Sequence, residues 1–370
     1  MNILMLNYEY PPLGGGGAPA ARDLAAELVS QGNKVDVVTM SFKTLKRREL
    51  DAGVTVYRVP SIRRHQSRSG VLEMASYLIS SIIFAARLVK RERYDIIHTH
   101  FIFPTGLVSA VLKSFTGLPV LITAHGSDVP GYNPDRFRLL HLLLKPFWLL
   151  VANSADLITT PSSFLKTLVE KNLRSKVMVI PNGFKPPYFD EDKKGKKILV
   201  ATRLFKRKGV QYLIGALKRI ETDWEVNIAG DGPYLPVLKK MASSAGCRVN
   251  FLGFVKGERL KNLYETSSIF VFPSVREDFP MVLLEAMSAG CAILTTEAAG
   301  IPEVVGEAAL KVACADENQI AGALQRMLAD KSLRRALGEE AKERVKEFEI
   351  GIIARRFFSL YENLTNGKKA

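Results

Sequence analysis

Two doubly wound α/β domains, each an open parallel sheet with helices on both faces, are the fold class that this sequence of 370 residues predicts. Three observations carry that prediction. The length exceeds one ordinary core and suits about two domains of ~150–200 residues. Short apolar runs alternate with helix-like segments through the first half, and the alternation starts again in the second, as parallel strands joined by crossover helices require. Between the halves, Phe184 to Gly195 has the proline, charge and glycine content of a linker. The expected divisions are therefore 1–183, the linker 184–195, 196–350, and a C-terminal helix over 351–370.

In the first half, Ile3 to Asn7 reads as a strand and Ala18 to Gln31, with Leu24, Ala25 and Leu28 apolar, as a helix packed on a sheet. Further strands are expected at Lys34 to Thr39, Val54 to Val59, Asp95 to His98 and Val120 to Thr123, with a long helix over Val71 to Arg91. Asp156 to Pro161 and Val177 to Gly183 supply the last two strands, the second ending in an Asn-Gly turn. This order makes a Rossmann-like domain. Four consecutive glycines, Gly14 to Gly17, strip every Cβ from the loop that opens the first helix, so a ligand can approach the backbone. Pro19 breaks the dinucleotide-binding spacing, and a mobile turn is an equal reading of the loop. His125 follows the strand at Val120, at a strand's carboxyl end, with Asp128 close behind. A single histidine there is more often a structural hydrogen-bonding residue. His98 and His100 are placed in the loop after Ile97.

In the second half, strands are expected at Lys197 to Thr202, Glu225 to Ala229, Val249 to Leu252 and Ile269 to Phe272, with helices at Val210 to Ile220, Leu235 to Ala245 and Leu260 to Ser267. Arg203 and Lys208 straddle a tight turn after the first of these strands, so both cations can converge on one diphosphate, arginine as a planar fork and lysine as a point charge. After Phe272 comes a polar loop holding Glu277, and Pro280 then opens a helix at its first position, where a missing N–H costs nothing. Glu285, eight residues after Glu277, lies one turn into that helix on the face of Met281. The free N–H groups of Phe279 to Leu283 favour an anion, and the two carboxylates can accept hydrogen bonds from sugar or ribose hydroxyls. From Asp316 to Leu360 the pattern is helical.

The Glu277 to Glu285 spacing, the run Glu285 to Gly290, and the Gly-Ile-Pro-Glu of Gly300 to Glu303 together resemble the retaining glycosyltransferases of family 4 (group 1), which have the GT-B fold. Arg203, Lys208 with Gly209, and the Ile-Pro-Asn-Gly of Ile180 to Gly183 extend the resemblance over nearly the whole chain. It implies two Rossmann-like domains facing across a cleft, the second binding a nucleotide-diphospho-sugar and the first the acceptor. By the same resemblance Glu277 and His125 lie against the transferred sugar, Glu285 binds the donor ribose, and Arg203 and Lys208 bind its phosphates. Phe279, Pro280, Met281 and Val282 complete the donor site, Gly16 and Gly17 face the donor's phosphate end or the acceptor, and Asp128 stands on the acceptor side. The sequence departs from the family at Asp278 to Pro280, where Gly-Phe-Gly is frequent, and at Thr202, where glycine is usual.

The implied reaction is sugar transfer with retention, from a UDP-sugar in preference to a GDP-sugar, to a glycan, lipid-linked or small-molecule acceptor in polysaccharide or glycoconjugate synthesis. A sugar-nucleotide epimerase of the same fold and a non-catalytic sugar-nucleotide-binding subunit are the alternatives. No cofactor or metal is expected, because two cations and a helix end can carry the diphosphate's charge and no Asp-x-Asp lies at a loop tip beside them. A net charge of +15 calls for a polyanion. Lys43, Lys46, Arg47, Arg48, Arg58, Arg63, Arg64 and Arg68 fall mostly in loops between early strands. They read equally as a solvated surface or as a site of contact with an anionic membrane, helped by amphipathic stretches at Tyr77 to Val89 and Arg138 to Trp148. Nucleic acid is not expected as a partner, since aromatic residues are not interleaved with these charges. Cys247, Cys291 and Cys314 read as small buried residues in a reducing compartment. Neither a signal sequence nor a spanning run of ~20 apolar residues is read, so the expected location is cytoplasmic, at or near the inner face of the cell membrane.

Overall fold

The computed structural model describes residues 1–370 apart from 67–68, 133, 174–175, 191–192, 245, 247 and 368–370, and in 134–142 the backbone alone. Arg68, Cys247, the linker residues Glu191 and Asp192, and the side chains at the start of the stretch from Arg138 thus lie outside the described residues. The chain divides into two compact units, Met1–Lys185 with Ile350–Ala370, and Pro186–Glu349.

The first unit is built on strands β1 (Asn2–Leu6), β2 (Lys34–Met40), β3 (Arg48–Asp51), β4 (Val54–Val59), β5 (Ile96–His100), β6 (Val120–Thr123), β7 (Leu157–Thr160) and β8 (Val177–Val179). They form an eight-stranded sheet in the order β3-β4-β2-β1-β5-β6-β7-β8. Every pair is parallel except β3 with β4. The central strands are apolar on both faces because helices cover both. Ile3, Met5, Val35 and Ile96 pack with Leu24 of the helix Gly17–Ser30 and with Ile353 and Phe357 of the helix Ile350–Asn366. Leu4, Leu6, Val38 and Ile97 point the other way, toward Tyr77, Val108 and Trp148 on the helices Val71–Arg91, Thr105–Thr116 and Pro134–Ser154.

Several readings of this half need correction. β5 runs past the strand end expected at His98 to His100, so His100 lies in the strand and not in the loop, and both histidines are buried. Arg48 belongs to a β3–β4 hairpin whose turn, Ala52 and Gly53, has both residues at positive φ, the geometry that matches strand twist. Arg58 is buried in β4, paired with Glu49 at 2.6 Å, and Arg63 is buried with its guanidinium on the carbonyls of His65 and Gln66. These two cations are structural rather than solvated. The helix Val71–Arg91 is long and apolar enough to cross a membrane by length and composition. Tyr77, Ser81, Ala85 and Leu88 nevertheless bury one face of it in the unit, leaving Val71, Leu72, Ile79 and Ile83 exposed.

The second unit holds β9 (Gly195–Ala201), β10 (Glu225–Ala229), β11 (Val249–Gly253), β12 (Ser267–Phe272), β13 (Ala292–Thr296) and β14 (Ala309–Val312). Their order, β11-β10-β9-β12-β13-β14, is parallel throughout. Ile198, Val200, Ile228, Ile269, Val271 and Leu294 make its core with Leu213 of the helix Val210–Leu217 and Leu324 of the helix Glu317–Ala329. Cys314 is exposed, contrary to expectation, whereas Cys291 is buried.

The stretch expected as a linker is held at both ends. The Phe184 carbonyl accepts the Ile350 amide at 3.0 Å within the first unit. Lys194 donates to the carbonyls of Tyr264 and Ser267 at 2.8 Å each within the second. The residue Ile350, expected to end the second domain, instead opens the helix Ile350–Asn366 and sits in the core of the first unit.

Candidate active site

In the second sheet the strand order reverses between β9 and β12, and the carboxyl ends of strands at such a reversal are where open α/β sheets bind ligands. Arg203 and Lys208 lie in the loop after β9 and Glu277 in the loop after β12. Backbone bonds lock the two loops together. The Val275 amide donates to the Arg207 carbonyl at 2.9 Å, and the Ser274 hydroxyl reaches the same oxygen at 3.2 Å. Gly209 sits at φ 71°, and a Cβ there would lie 1.8 Å from the Pro273 carbonyl oxygen, so only glycine allows the approach. On the other side the Leu204 amide donates to the Asp231 carbonyl at 2.8 Å, fastening in the Gly230 to Pro233 loop after β10. That loop's part in shaping the site was not read from the sequence, although its paired glycines, Gly230 and Gly232, signal a close backbone approach.

Lys208 is buried and its ammonium is ion-paired with Glu277. Burial pulls it below the usual lysine range; Glu277 opposes this, while Arg207 and Arg203 add to it. The ammonium also lies 5.6 Å from the centre of the Phe272 ring. Arg203 is exposed, stacked over Phe205, with no ion-pair partner among the described residues. Glu277 is fixed by its carbonyl, which accepts the Gly300 amide at 3.0 Å and so gives the Gly-Ile-Pro-Glu motif a structural purpose.

The helix after this loop runs Met281–Ser288 with Pro280 as its cap, one position outside the first helical residue expected for it. Leu283 is not a free donor, because its amide bonds the Pro280 carbonyl at 3.0 Å. The amides of Phe279, Met281 and Val282 have no partner among the described residues. The Phe279 side chain is buried edge-on against Phe348, so only its backbone is offered to a ligand. Glu285 lies beside the Tyr264 hydroxyl, which can donate to it; that hydroxyl and Glu285 Oε2 are both sealed from solvent, and neither has another hydrogen-bond partner among the described residues. Burial pushes this carboxyl above the ordinary range, with Tyr264 acting the other way. An unpaired buried acceptor costs about 1–3 kcal/mol and is met by a hydroxyl donor. Tyr264 was not read as part of the site.

In the first unit, the loops after β1, β5 and β6 come together around His125. A Cβ on Gly17 would sit 3.1 Å from its Nδ1 and 3.3 Å from the Phe101 ring, which explains glycine at the helix start. Gly16 faces open space. The other two glycines are occupied, since Gly15 donates to Glu9 at 3.0 Å and Gly14 to the Gln66 carbonyl at 2.9 Å. Asp128 accepts the amides of Ile102 at 2.7 Å and His125 at 3.0 Å. Burial raises its carboxyl to about 6 in spite of those bonds. Asp128 thus ties the β5 and β6 loops together. His125 Nε2 lies 2.9 Å from His100 Nδ1, a contact that sequence reasoning missed because it placed His100 in a loop.

A groove of about 1310 Å³ in the second unit, lined by Lys194, Lys196, Trp224, Arg248, Lys331 and Arg334 among others, lies at the amino ends of the strands and shares none of these loops.

Residues 184–344 match the family model for glycosyl transferases group 1, and residues 14–186 the model for glycosyltransferase family 4. The chain is 31% identical over 375 residues to an uncharacterised glycosyltransferase of Methanocaldococcus jannaschii, covering 94% of each. It is 26% identical over 387 residues to the N-acetyl-alpha-D-glucosaminyl L-malate synthase of Bacillus anthracis, covering 97% of each. With the gpi3 subunit of the Schizosaccharomyces pombe phosphatidylinositol N-acetylglucosaminyltransferase it shares 29% over 92% of this chain and 76% of that one. Among solved structures, sucrose-phosphate synthase from Thermosynechococcus elongatus superposes with a TM-score of 0.83 at 22% identity, over 99% of this chain and 100% of that one. Anabaena HepE in complex with UDP and glucose superposes with a TM-score of 0.78 at 18% identity, over 98% and 100%. With two parallel-sheet units of the GT-B fold and relatives matched along almost its entire length, the chain belongs to the group 1, family 4 glycosyltransferases.

Proposed function

We propose that this enzyme transfers a sugar, with retention at the anomeric carbon, from a UDP-sugar to a lipid-linked, glycan or small-molecule acceptor in glycoconjugate or polysaccharide synthesis. The observation that carries the reading is the arrangement at the β9/β12 switch point. There Arg203, Lys208 and the unpaired amides of Phe279, Met281 and Val282 supply positive potential for a diphosphate, and Glu285 supplies a carboxylate that can accept from a ribose hydroxyl. When the bond from the anomeric carbon to the diphosphate breaks, charge builds on the leaving oxygen. Arg203 and Lys208 stabilise it, a contribution of about 10²–10³ in rate for each donor. The acceptor oxygen bonds the same carbon from the face the diphosphate leaves, and its proton passes to the departing phosphate. Glu277 is assigned to the transferred sugar within the second unit; for His125 and Asp128 of the first unit, the sugar-side and acceptor-side roles are those the family resemblance implies. No metal is required in this scheme, since the protein's own cations balance the diphosphate. Two relatives are named for N-acetylglucosaminyl transfer, to malate and to phosphatidylinositol, so UDP-N-acetylglucosamine is the first donor to try.

A screen for UDP or GDP release from sugar nucleotides in EDTA, with and without lipid-linked acceptors, tests this. Release of UDP that needs an acceptor supports it. Activity abolished by EDTA and restored by magnesium removes metal independence, and interconversion of the donor without acceptor favours an epimerase.

The same reading extends to the cytoplasmic membrane face. The helices Val71–Arg91, Thr105–Thr116 and Pro134–Ser154 pack side by side, and each shows apolar residues to solvent: Leu72 and Ile79, Phe115, and Leu143 and Phe147. Basic residues on the first and third helices, Arg87, Lys90, Arg91 and Lys145, complement anionic headgroups. Co-sedimentation with vesicles that is unchanged by removing acidic lipid or by adding salt would refute this.

A further inference from the structure

Behind His125 lies a buried group of polar side chains that the reading above does not use. The Tyr361 hydroxyl is 2.7 Å from His98 Nδ1, His98 Nε2 is 2.8 Å from the Thr123 hydroxyl, and Thr123 is 2.7 Å from the Thr159 hydroxyl. The His98 and His100 rings lie tilted to each other with centres 4.5 Å apart, and His100 Nδ1 meets His125 Nε2. His98 therefore has both ring nitrogens satisfied. His100 does not, because its Nε2 is sealed from solvent with no partner among the described residues.

We propose that His100 is a positioning residue that fixes the tautomer of His125, donating from Nδ1 to His125 Nε2 so that His125 keeps its own proton on Nδ1, toward Gly17. Burial keeps all three imidazoles neutral near pH 7, with His98 down at about 3, His125 at about 4 and His100 also well below its ordinary value. Each neutral ring carries one N–H, so a single proton lies between His100 and His125, and its side decides both tautomers. If His125 donated, the remaining proton of His100 would be forced onto its sealed Nε2, an orphaned buried donor at about 1–3 kcal/mol. A bare ring nitrogen there is the lesser penalty, since buried donors are left unpaired more rarely than buried acceptors. His125 then presents an N–H at Nδ1, on the side where Gly17 leaves the ring uncovered. That N–H suits a sugar hydroxyl oxygen. The relevance to transfer rests on the sugar-side role proposed for His125; the tautomer itself does not.

The test uses the full chain labelled with ¹⁵N-histidine, whose five histidines are assigned by single substitutions. Two-bond N–H couplings at pH 7 report the tautomer of each ring. The expected result is an Nδ1–H form for both His100 and His125, with His125 moving toward the Nε2–H form in His100→Leu and returning in His100→Asn, whose amide can donate to Nε2. An Nε2–H form of His125 in the unaltered chain, or an unchanged pattern in His100→Leu of native melting temperature, overturns the proposal. UDP release from UDP-N-acetylglucosamine is measured alongside. We expect a fall in kcat of about 10²-fold in His100→Leu with donor KM nearly unchanged and recovery in His100→Asn, as expected for a misaligned group. Turnover that stays native while the tautomer shifts leaves the positioning intact and refutes the sugar-side role of His125 instead.

Discussion

The ion pair between Lys208 and Glu277 makes Glu277→Gln an informative perturbation. Lys208 is 8% exposed at its side chain and Glu277 17%, so the pair is largely but not wholly dry. Leaving a fully buried partner uncompensated costs about 3–5 kcal/mol, and residual solvent here reduces that to about 2–3 kcal/mol. The variant limits the loss by letting Lys208 release its proton, because burial and the neighbouring Arg203 and Arg207 already draw its ammonium down and only Glu277 opposes them. A diphosphate restores the missing negative charge. UDP should therefore bind the variant about as well as the unaltered chain near pH 7, with uptake of a proton. Uptake of one proton lowers affinity by up to tenfold per pH unit between the free and bound lysine values, so binding to the variant should weaken steeply as pH rises from 7 to 9. In the unaltered chain Glu277 favours the charged form of Lys208, so the fall over the same range should be shallower. Turnover should fall by about 10²–10³-fold if Glu277 acts beside the sugar as proposed, since its charge is removed. Calorimetry in buffers of different ionisation enthalpy measures affinity and proton uptake together. Native turnover, or UDP affinity lost at pH 7 with no steeper pH dependence, would refute the reasoning.

Glu285→Ala removes the buried acceptor and should weaken UDP binding by about 1.5–3 kcal/mol, the value of a charge-assisted hydrogen bond, with kcat at saturating donor changed far less; a pure kcat effect contradicts the ribose assignment. Gly209→Ala places a methyl on the Pro273 carbonyl in a left-handed conformation, so thermal unfolding should show a loss of at least about 1–2 kcal/mol along with donor binding. Gly17→Ala, whose φ is ordinary, should leave stability nearly unchanged but displace a His125 ring held between His100 and Phe101, and turnover, not UDP affinity, should drop. The histidines also set a pH dependence of stability. Their folded values lie below the unfolded value near 6.5, so the stability they confer is complete above that pH and is lost as pH falls toward 4. By pH 5 each of His98 and His125 costs about 2 kcal/mol, offset by roughly 1 kcal/mol from Asp128, whose raised carboxyl takes up a proton between about 6 and 4. Denaturant unfolding at pH 7 and pH 5 measures the difference, and equal stability would contradict the burial of these rings.

The residues proposed for the donor could be singled out because they are local in sequence. Arg203 and Lys208 share one turn, Glu277 and Glu285 one loop and helix, and each pair follows an apolar run that reads as a strand. What could not be read is what depends on contacts between distant segments. His100 gains its meaning from His125 and from the walls that seal its Nε2. Arg58 and Arg63 look like surface charges until the hairpin and the glycine loop close over them. Tyr264 reads as one more apolar residue of an ordinary helix, and only the folded sheet brings its hydroxyl to Glu285. The helix Thr105–Thr116 escaped notice because Gly106 and β-branched residues blur its periodicity, although Gly106 is required by the Val151 side chain, 2.5 Å from where a Cβ would stand. Local propensity gives way to packing in each case.

The central claim is that the turn after β9 and the helix start after Pro280 grip a nucleoside diphosphate through the protein's own charge. Calorimetric titration of UDP into the full chain in EDTA, beside the Arg203→Ala/Lys208→Ala double variant, tests it most directly. The account predicts saturable binding without added metal and a loss of at least about 100-fold in the double variant of unchanged melting temperature, two charged contacts at roughly 1.5–3 kcal/mol each. Equal affinity in the two proteins would contradict it.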